Sequence, residues 1–211
     1  MEPILKEIYQ NILDGQHTQI AAKVQLALES GITPKVILED GMIAAMAEVG
    51  RLFEVGEFYV PEMLISARAM QAGLALLKPH LKETNVQAAG KVAIGTVKGD
   101  LHDIGKNLVA MILEGAGFEI LDLGTDVPAE RFVAAADSVD VIALSGLLTT
   151  TITGMKTVIE MLKAAGKRDK VKVIVGGAPV TETFANQIGA DGYAPNASRA
   201  VSMTKALLEK K

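Results

Sequence analysis

The sequence predicts a small helical domain followed by an α/β domain built on a parallel sheet. Three observations carry this reading. Apolar residues recur at helical spacing from Ile4 to about Leu81, a polar tract of small residues follows, and short β-rich runs then alternate with longer helical stretches.

In the helical part the stripe Val36, Ile43, Ala47, Gly50 and Phe53 is interrupted only by Asp40, and no strand pattern is visible. Breaks at Asp14-Gly15, at Gly31 to Pro34 and at Gly56-Glu57 divide it into four helices. Thr33 suits an N-cap with Pro34 at the first helical position, and Pro61 opens the fourth helix in the same way. Met42, Met46, Met63 and Met70 are read as core filling. The tract HLKETNVQAAGK then has the composition of an interdomain linker. The expected domains are therefore residues 1–88 and 89–211, with the linker at about 82–90. Beyond it the runs KVAIGTV, FEILDLG, VDVIALSG and VKVIVGG are near-continuous and apolar, as strands covered by helices on both faces require. The expected architecture is a four-helix bundle plus a flavodoxin/Rossmann-like α/β domain with a parallel five-stranded sheet. The four runs place four of its strands. Such sheets bind ligands beyond the carboxyl ends of their strands, so the loops after the first, third and fourth runs are where a site belongs.

Composition narrows the chemistry. The 211 residues hold 21 Lys and Arg against 25 Asp and Glu, which gives no footprint for nucleic acid or anionic lipid. There is no membrane-length apolar run and no export pattern at the amino terminus, so the chain is read as cytoplasmic. With no cysteine there is no disulfide, thiolate metal site or cysteine nucleophile. Histidine occurs only at positions 17, 80 and 102, which excludes a multi-histidine cage yet leaves room for one axial ligand. His17 and His80 are read as surface residues.

The loop after the first run reads Lys98-Gly99-Asp100-Leu101-His102-Asp103-Ile104-Gly105-Lys106-Asn107, too polar for a routine strand-to-helix turn. An isolated Asp-x-His is more often a cap and a solvated histidine than a site. Neither a GxGxxG fingerprint nor a phosphate loop is present, so nucleotide phosphates are poorly served.

Asp100, His102 and Gly105, then Ser145 and Leu147, then Gly176 and Gly177 form three elements in order, each at the end of an expected strand. Together they resemble the signature of the corrinoid proteins of cobalamin-dependent methyltransferase systems, related to the cobalamin-binding module of methionine synthase, and the likeness covers essentially the whole chain. The resemblance implies a cobalamin or related corrinoid bound with its own base displaced from cobalt and His102 as the metal ligand in its place. Asp100 would accept from the second imidazole nitrogen, and the hydroxyl of Thr151 would continue that relay. Gly99, Leu101, Asp103, Ile104 and Gly105 would line the cofactor, and Ser145, Leu147, Thr149, Gly176, Gly177, Ala178, Asn196 and Ala197 the slot for its nucleotide tail. The segment Val49 to Leu77 resembles the helical cap over the upper corrin face, with Phe53 and Val60 closest to the methyl group.

What the resemblance implies in function is a methyl carrier. A substrate-specific corrinoid methyltransferase would place a methyl group on cobalt(I), giving methyl-cobalt(III). A second methyltransferase would pass it to tetrahydrofolate or a thiol coenzyme, and a reductive activase would rescue oxidised cobalt. The alternatives are the cobalamin-binding subunit of an adenosylcobalamin isomerase, a cobalamin-sensing regulator, or a flavodoxin-like domain with another ligand.

Overall fold

The computed structural model describes residues 2–84 and 86–209, so Asn85 of the expected linker lies outside the described residues. The chain divides into two compact units with the break between Gln87 and Ala88, the first also taking in Glu114–Gly117.

The first unit is helical. Helix α1 (Pro3–Leu13) buries Leu5, Ile8 and Ile12, and α2 (His17–Glu29) buries Ile20, Val24 and Ala27, each set on one helical face. The third rod begins as α3 (Pro34–Val36), passes through a π-helical stretch (Ile37–Ile43) and continues as α4 (Ala44–Glu54). At its start Thr33 accepts a hydrogen bond from the Val36 N–H and Pro34 occupies the first turn. Helix α5 (Val60–Glu83) has Pro61 in its first turn, where Glu62 reaches back to the N–H of Tyr59. The four methionines at 42, 46, 63 and 70 are buried in this unit. The periodic pattern gave no sign of the π stretch, because one widened turn leaves the apolar stripe nearly intact.

The second unit is a five-stranded parallel sheet in the order β2-β1-β3-β4-β5. Its strands are β1 (Lys91–Val97), β2 (Glu119–Val127), β3 (Val141–Ser145), β4 (Lys172–Gly176) and β5 (Gly192–Ala194). Between them run α6 (Ile104–Gly115), α7 (Ala129–Ala135), α8 (Thr153–Ala164) and α9 (Glu182–Ile188), and α10 (Ala197–Glu209) follows. Strands β1, β3 and β4 are buried along almost their whole length, which explains their apolar runs. The fifth strand, three residues long, is too short to leave a pattern in sequence. From β1 the chain goes to β2 on one side and then to β3 on the other, so the order reverses between β1 and β3. The loops after those two strands diverge there and open a crevice at the carboxyl end of the sheet.

The glycines that end β4 are demanded by the chain's own backbone. A Cβ on Gly176 would stand 2.8 Å from the Ala194 carbonyl oxygen, and one on Gly177, at φ +129°, would stand 1.9 Å from that of Gly146. Neither obstacle is a side chain that could rotate away. Gly177→Ala is therefore expected to cost roughly 3 kcal/mol or more in urea unfolding, combining backbone strain with a backbone clash. The control Gly166→Ala, at φ +66° with nothing within 4 Å of the added Cβ, is expected to cost about 1 kcal/mol.

Candidate functional site

Two loops meet at the reversal point. The first leaves β1 at Val97 and turns through Gly99, whose φ of +84° is natural only to glycine. Its continuation is pinned at both ends. The buried hydroxyl of Thr96 donates to the His102 carbonyl at 2.9 Å, and the N–H of Asp126, at the end of β2, donates to the Asp100 carbonyl at 2.9 Å. The second loop leaves β3 at Ser145 and runs through Leu147, Leu148 and Thr151 toward α8.

The Asp100 side chain joins the two loops. It has no solvent exposure, and both of its oxygens are occupied. Oδ1 accepts from the His102 backbone N–H at 3.1 Å and from His102 Nδ1 at 2.7 Å. Oδ2 accepts from the Leu147 N–H at 2.8 Å, the Leu148 N–H at 3.3 Å and the Thr151 hydroxyl at 2.7 Å. Burial opposes ionisation, but the Leu147 N–H, the Thr151 hydroxyl and the two His102 donors outweigh it and hold the carboxyl well below the usual carboxylate range. Asp100 is thus a fixed negative acceptor. Nδ1 of His102 must carry the proton it donates, which leaves Nε2, on a side chain 51% exposed, as the nitrogen free to bind a metal.

On the two loops and at the start of α6, four apolar side chains are left in solvent. Leu101 is 74% exposed, Ile104 80%, and Leu147 and Leu148 42% each. Exposed apolar side chains of this kind mark a surface built to be covered. Among the described residues no group of three or more acidic or histidine side chains gathers to hold an ion. The donor set is one nitrogen beside apolar surface, which fits a metal whose remaining ligands come from a large flat organic ring.

The other expected residues lie as follows. Asp103 accepts from the Asn107 side chain at 3.1 Å, and Gly105 is exposed in the first turn of α6. Ser145 pairs with Thr96 and with Gly176 across the sheet, so the ends of β1, β3 and β4 are level. Gly177 packs on Gly146, while Thr149 and Ala178 are exposed. Asn196 accepts from the Arg199 N–H at 2.9 Å and so caps α10, and Ala197 is buried. In the helical unit Phe53 is half-buried in the last turn of α4, and Val60, 41% exposed, opens α5.

Family models described as B12 binding domains match residues 90–202 and residues 4–78. The dimethylamine corrinoid protein of Methanosarcina barkeri is 45% identical, covering 98% of each chain. This chain belongs to the corrinoid proteins of cobalamin-dependent methyltransferase systems. A trimethylamine corrinoid protein of Methanosarcina acetivorans is 42% identical over 98% of each chain, and a corrinoid protein of Desulfitobacterium hafniense 40% identical over 98% of each. Among solved structures, the methanol:cobalamin methyltransferase complex MtaBC from Methanosarcina barkeri matches with a TM-score of 0.87 at 30% identity. The match covers 100% of this chain and 81% of that one. A cobalamin-binding protein from Desulfitobacterium hafniense matches with a TM-score of 0.79 at 32% identity, over 96% and 97%. No helix among the described residues of this corrinoid protein is long and apolar enough to cross a membrane.

Three contributors escaped the sequence reading. Thr96 looks like any strand residue, the Leu148 N–H is a backbone group, and Asp126 lies 26 residues from Asp100 with no motif around it. An aspartate at the carboxyl end of a strand in such a sheet was the one available signal.

Asn cannot replace Asp100 without conflict, because either orientation turns its NH2 toward N–H donors. Asp100→Asn is expected to cost roughly 1–3 kcal/mol in urea unfolding at neutral pH. Because the folded carboxyl ionises more readily than the unfolded one, its stabilising effect is present above the unfolded value of ~3.9 and is lost as pH falls toward the folded value. Acid titration of stability is therefore expected to be shallower in Asp100→Asn. Thr151→Val, which keeps the shape and removes the hydroxyl, is expected to cost about 1 kcal/mol.

Proposed function

We propose that this protein holds its corrinoid with Nε2 of His102 as the lower ligand to cobalt and delivers methyl groups drawn from a methylated amine. The observation that carries the reading is the exposed imidazole whose Nδ1 is committed to a buried, fully hydrogen-bonded carboxylate at the sheet's reversal point. When bound, the corrinoid supplies a cobalt that accepts and releases a methyl group. The chain's own residues do the rest.

Asp100 holds the imidazole in one tautomer and orientation and raises its donor strength, as an outer partner of a ligating histidine does. The Thr151 hydroxyl steadies Asp100 in turn. Gly99, Leu101, Asp103, Ile104, Gly105 and Leu147 meet the ring. Ser145, Thr149, Gly176, Gly177, Ala178, Asn196 and Ala197 border the slot for the nucleotide tail, where small side chains let a ligand approach the backbone. Phe53 and Val60 of the helical unit would shield the methyl group, and movement of that unit would give access to it for transfer. Shielding excludes water and oxidant from a reactive centre while movement gives access to it.

The partners that follow are a corrinoid methyltransferase, which the likeness to MtaBC supports, and a second methyltransferase acting on tetrahydrofolate or a thiol coenzyme. A reductive activase completes the set. A methylated amine as donor rests on the dimethylamine and trimethylamine corrinoid proteins among the relatives. Substrate choice itself belongs to the methyltransferase.

The test reconstitutes the protein with hydroxocobalamin, reduces it, and adds a methylamine-type corrinoid methyltransferase with mono-, di- or trimethylamine or a quaternary amine. Loss of the cobalt(I) absorption only when enzyme and amine are both present is expected, with His102→Ala transferring more slowly. Failure with every amine would remove the donor reading, and a preference for adenosylcobalamin over methylcobalamin would favour an isomerase subunit.

A further inference from the structure

Asp126 is the only non-glycine residue with positive φ among the described residues, at +51°. Side chains seldom accept this backbone conformation, and aspartate is among those that tolerate it best. An aspartate turning the chain at a strand end would ordinarily bond within its own turn. Here the partners lie 26 to 28 residues away. The Asp126 N–H donates to the Asp100 carbonyl at 2.9 Å, its carboxylate accepts the Gly99 N–H at 2.8 Å, and the Lys98 ammonium lies 3.0 Å from the same carboxylate.

The unusual backbone is what allows this grip. One residue presents its amide and its carboxylate to the same short segment, so Lys98, Gly99 and Asp100 are held together from the β2 side. The β3 side is held through Leu147 and Thr151, both bonded to the Asp100 side chain. With Asp100 fixed at its backbone and its carboxylate, the backbone N–H and Nδ1 of His102, two residues on, meet a fixed acceptor. Releasing the Gly99 amide would free the glycine to rotate and let the carboxylate that orients the imidazole drift.

We propose that Asp126 is a positioning residue for the axial ligand, acting through Asp100 and without touching the cofactor. The inference rests on His102 being that ligand. Its partner Lys98 is solvated, and the exposed ion pair contributes little. The Gly99 hydrogen bond is what counts.

The test uses the whole chain reconstituted with hydroxocobalamin labelled with nitrogen-15 in its benzimidazole and reduced to cobalt(II). Electron paramagnetic resonance then reads the ratio of histidine-on to histidine-off cofactor. Asp126→Gly suits the backbone, keeps the amide and deletes only the carboxylate. It is expected to lower that ratio roughly 10-fold or more, at unchanged cofactor content and unchanged or higher Tm. Asp126→Asn, which keeps an acceptor for Gly99, is expected to restore it. Where the glycine variant does not fold, Asp126→Ser, with its acceptor drawn back, is expected to show the same loss.

An unsubstituted ratio in the glycine or serine variant overturns the inference alone. So does a ratio that falls only together with Tm and cofactor content. If the unsubstituted protein shows no splitting from an unlabelled nitrogen that His102→Ala removes, the ligand reading falls and takes this inference with it.

Discussion

An ionised carboxylate without solvent contact must find donors for its lone pairs from the protein, and at Asp100 that requirement organises the site. The donors come from both sides of the reversal point: the backbone and ring of His102 from the loop after β1, and two amides and a hydroxyl from the loop after β3. An apolar group in the same place would accept none of these bonds and would leave the donors unpaired. The carboxylate therefore ties two loops together and, in the same act, gives the imidazole a defined direction and a fixed proton on Nδ1.

The sheet makes this possible by bringing the ends of β1, β3 and β4 level, as the pairing of Thr96 with Ser145 and of Ser145 with Gly176 shows. Packing elsewhere then leaves the two loops little freedom. Gly177 sits against Gly146 with no space for a side chain, Thr96 holds the His102 carbonyl, and the apolar strands beneath are buried. A packed floor with an exposed imidazole and exposed apolar side chains suits a large, flat, metal-bearing ligand, to which the proposed reading gives one bond from the protein.

Much of this was legible in sequence because the physics is local. Continuous apolar runs announced β1, β3 and β4, Thr33-Pro34 announced the start of the third rod, and Asp100 and His102 stood two residues apart in a loop too polar for an ordinary turn. The hidden parts depend on contacts distant in sequence or on elements too short for a pattern. Strand β5 spans three residues, the π stretch keeps the apolar stripe, and Asp126 acquires meaning only when β2 lies beside β1. Two readings gained a second side. Gly176 and Gly177, singled out for ligand approach, are required by the carbonyls of Ala194 and Gly146, and Asn196, read as lining the tail slot, caps α10.

On the proposed reading Nε2 of His102 binds the cobalt while Nδ1 stays on Asp100. A crystal structure of the protein loaded with hydroxocobalamin tests it most directly. The expected result is a bond from Nε2 to cobalt, with the cofactor's own base away from the metal and the Asp100 contacts to His102, Leu147 and Thr151 retained. The cofactor's base on cobalt, or an imidazole turned away with Asp100 still holding its loop, would contradict it.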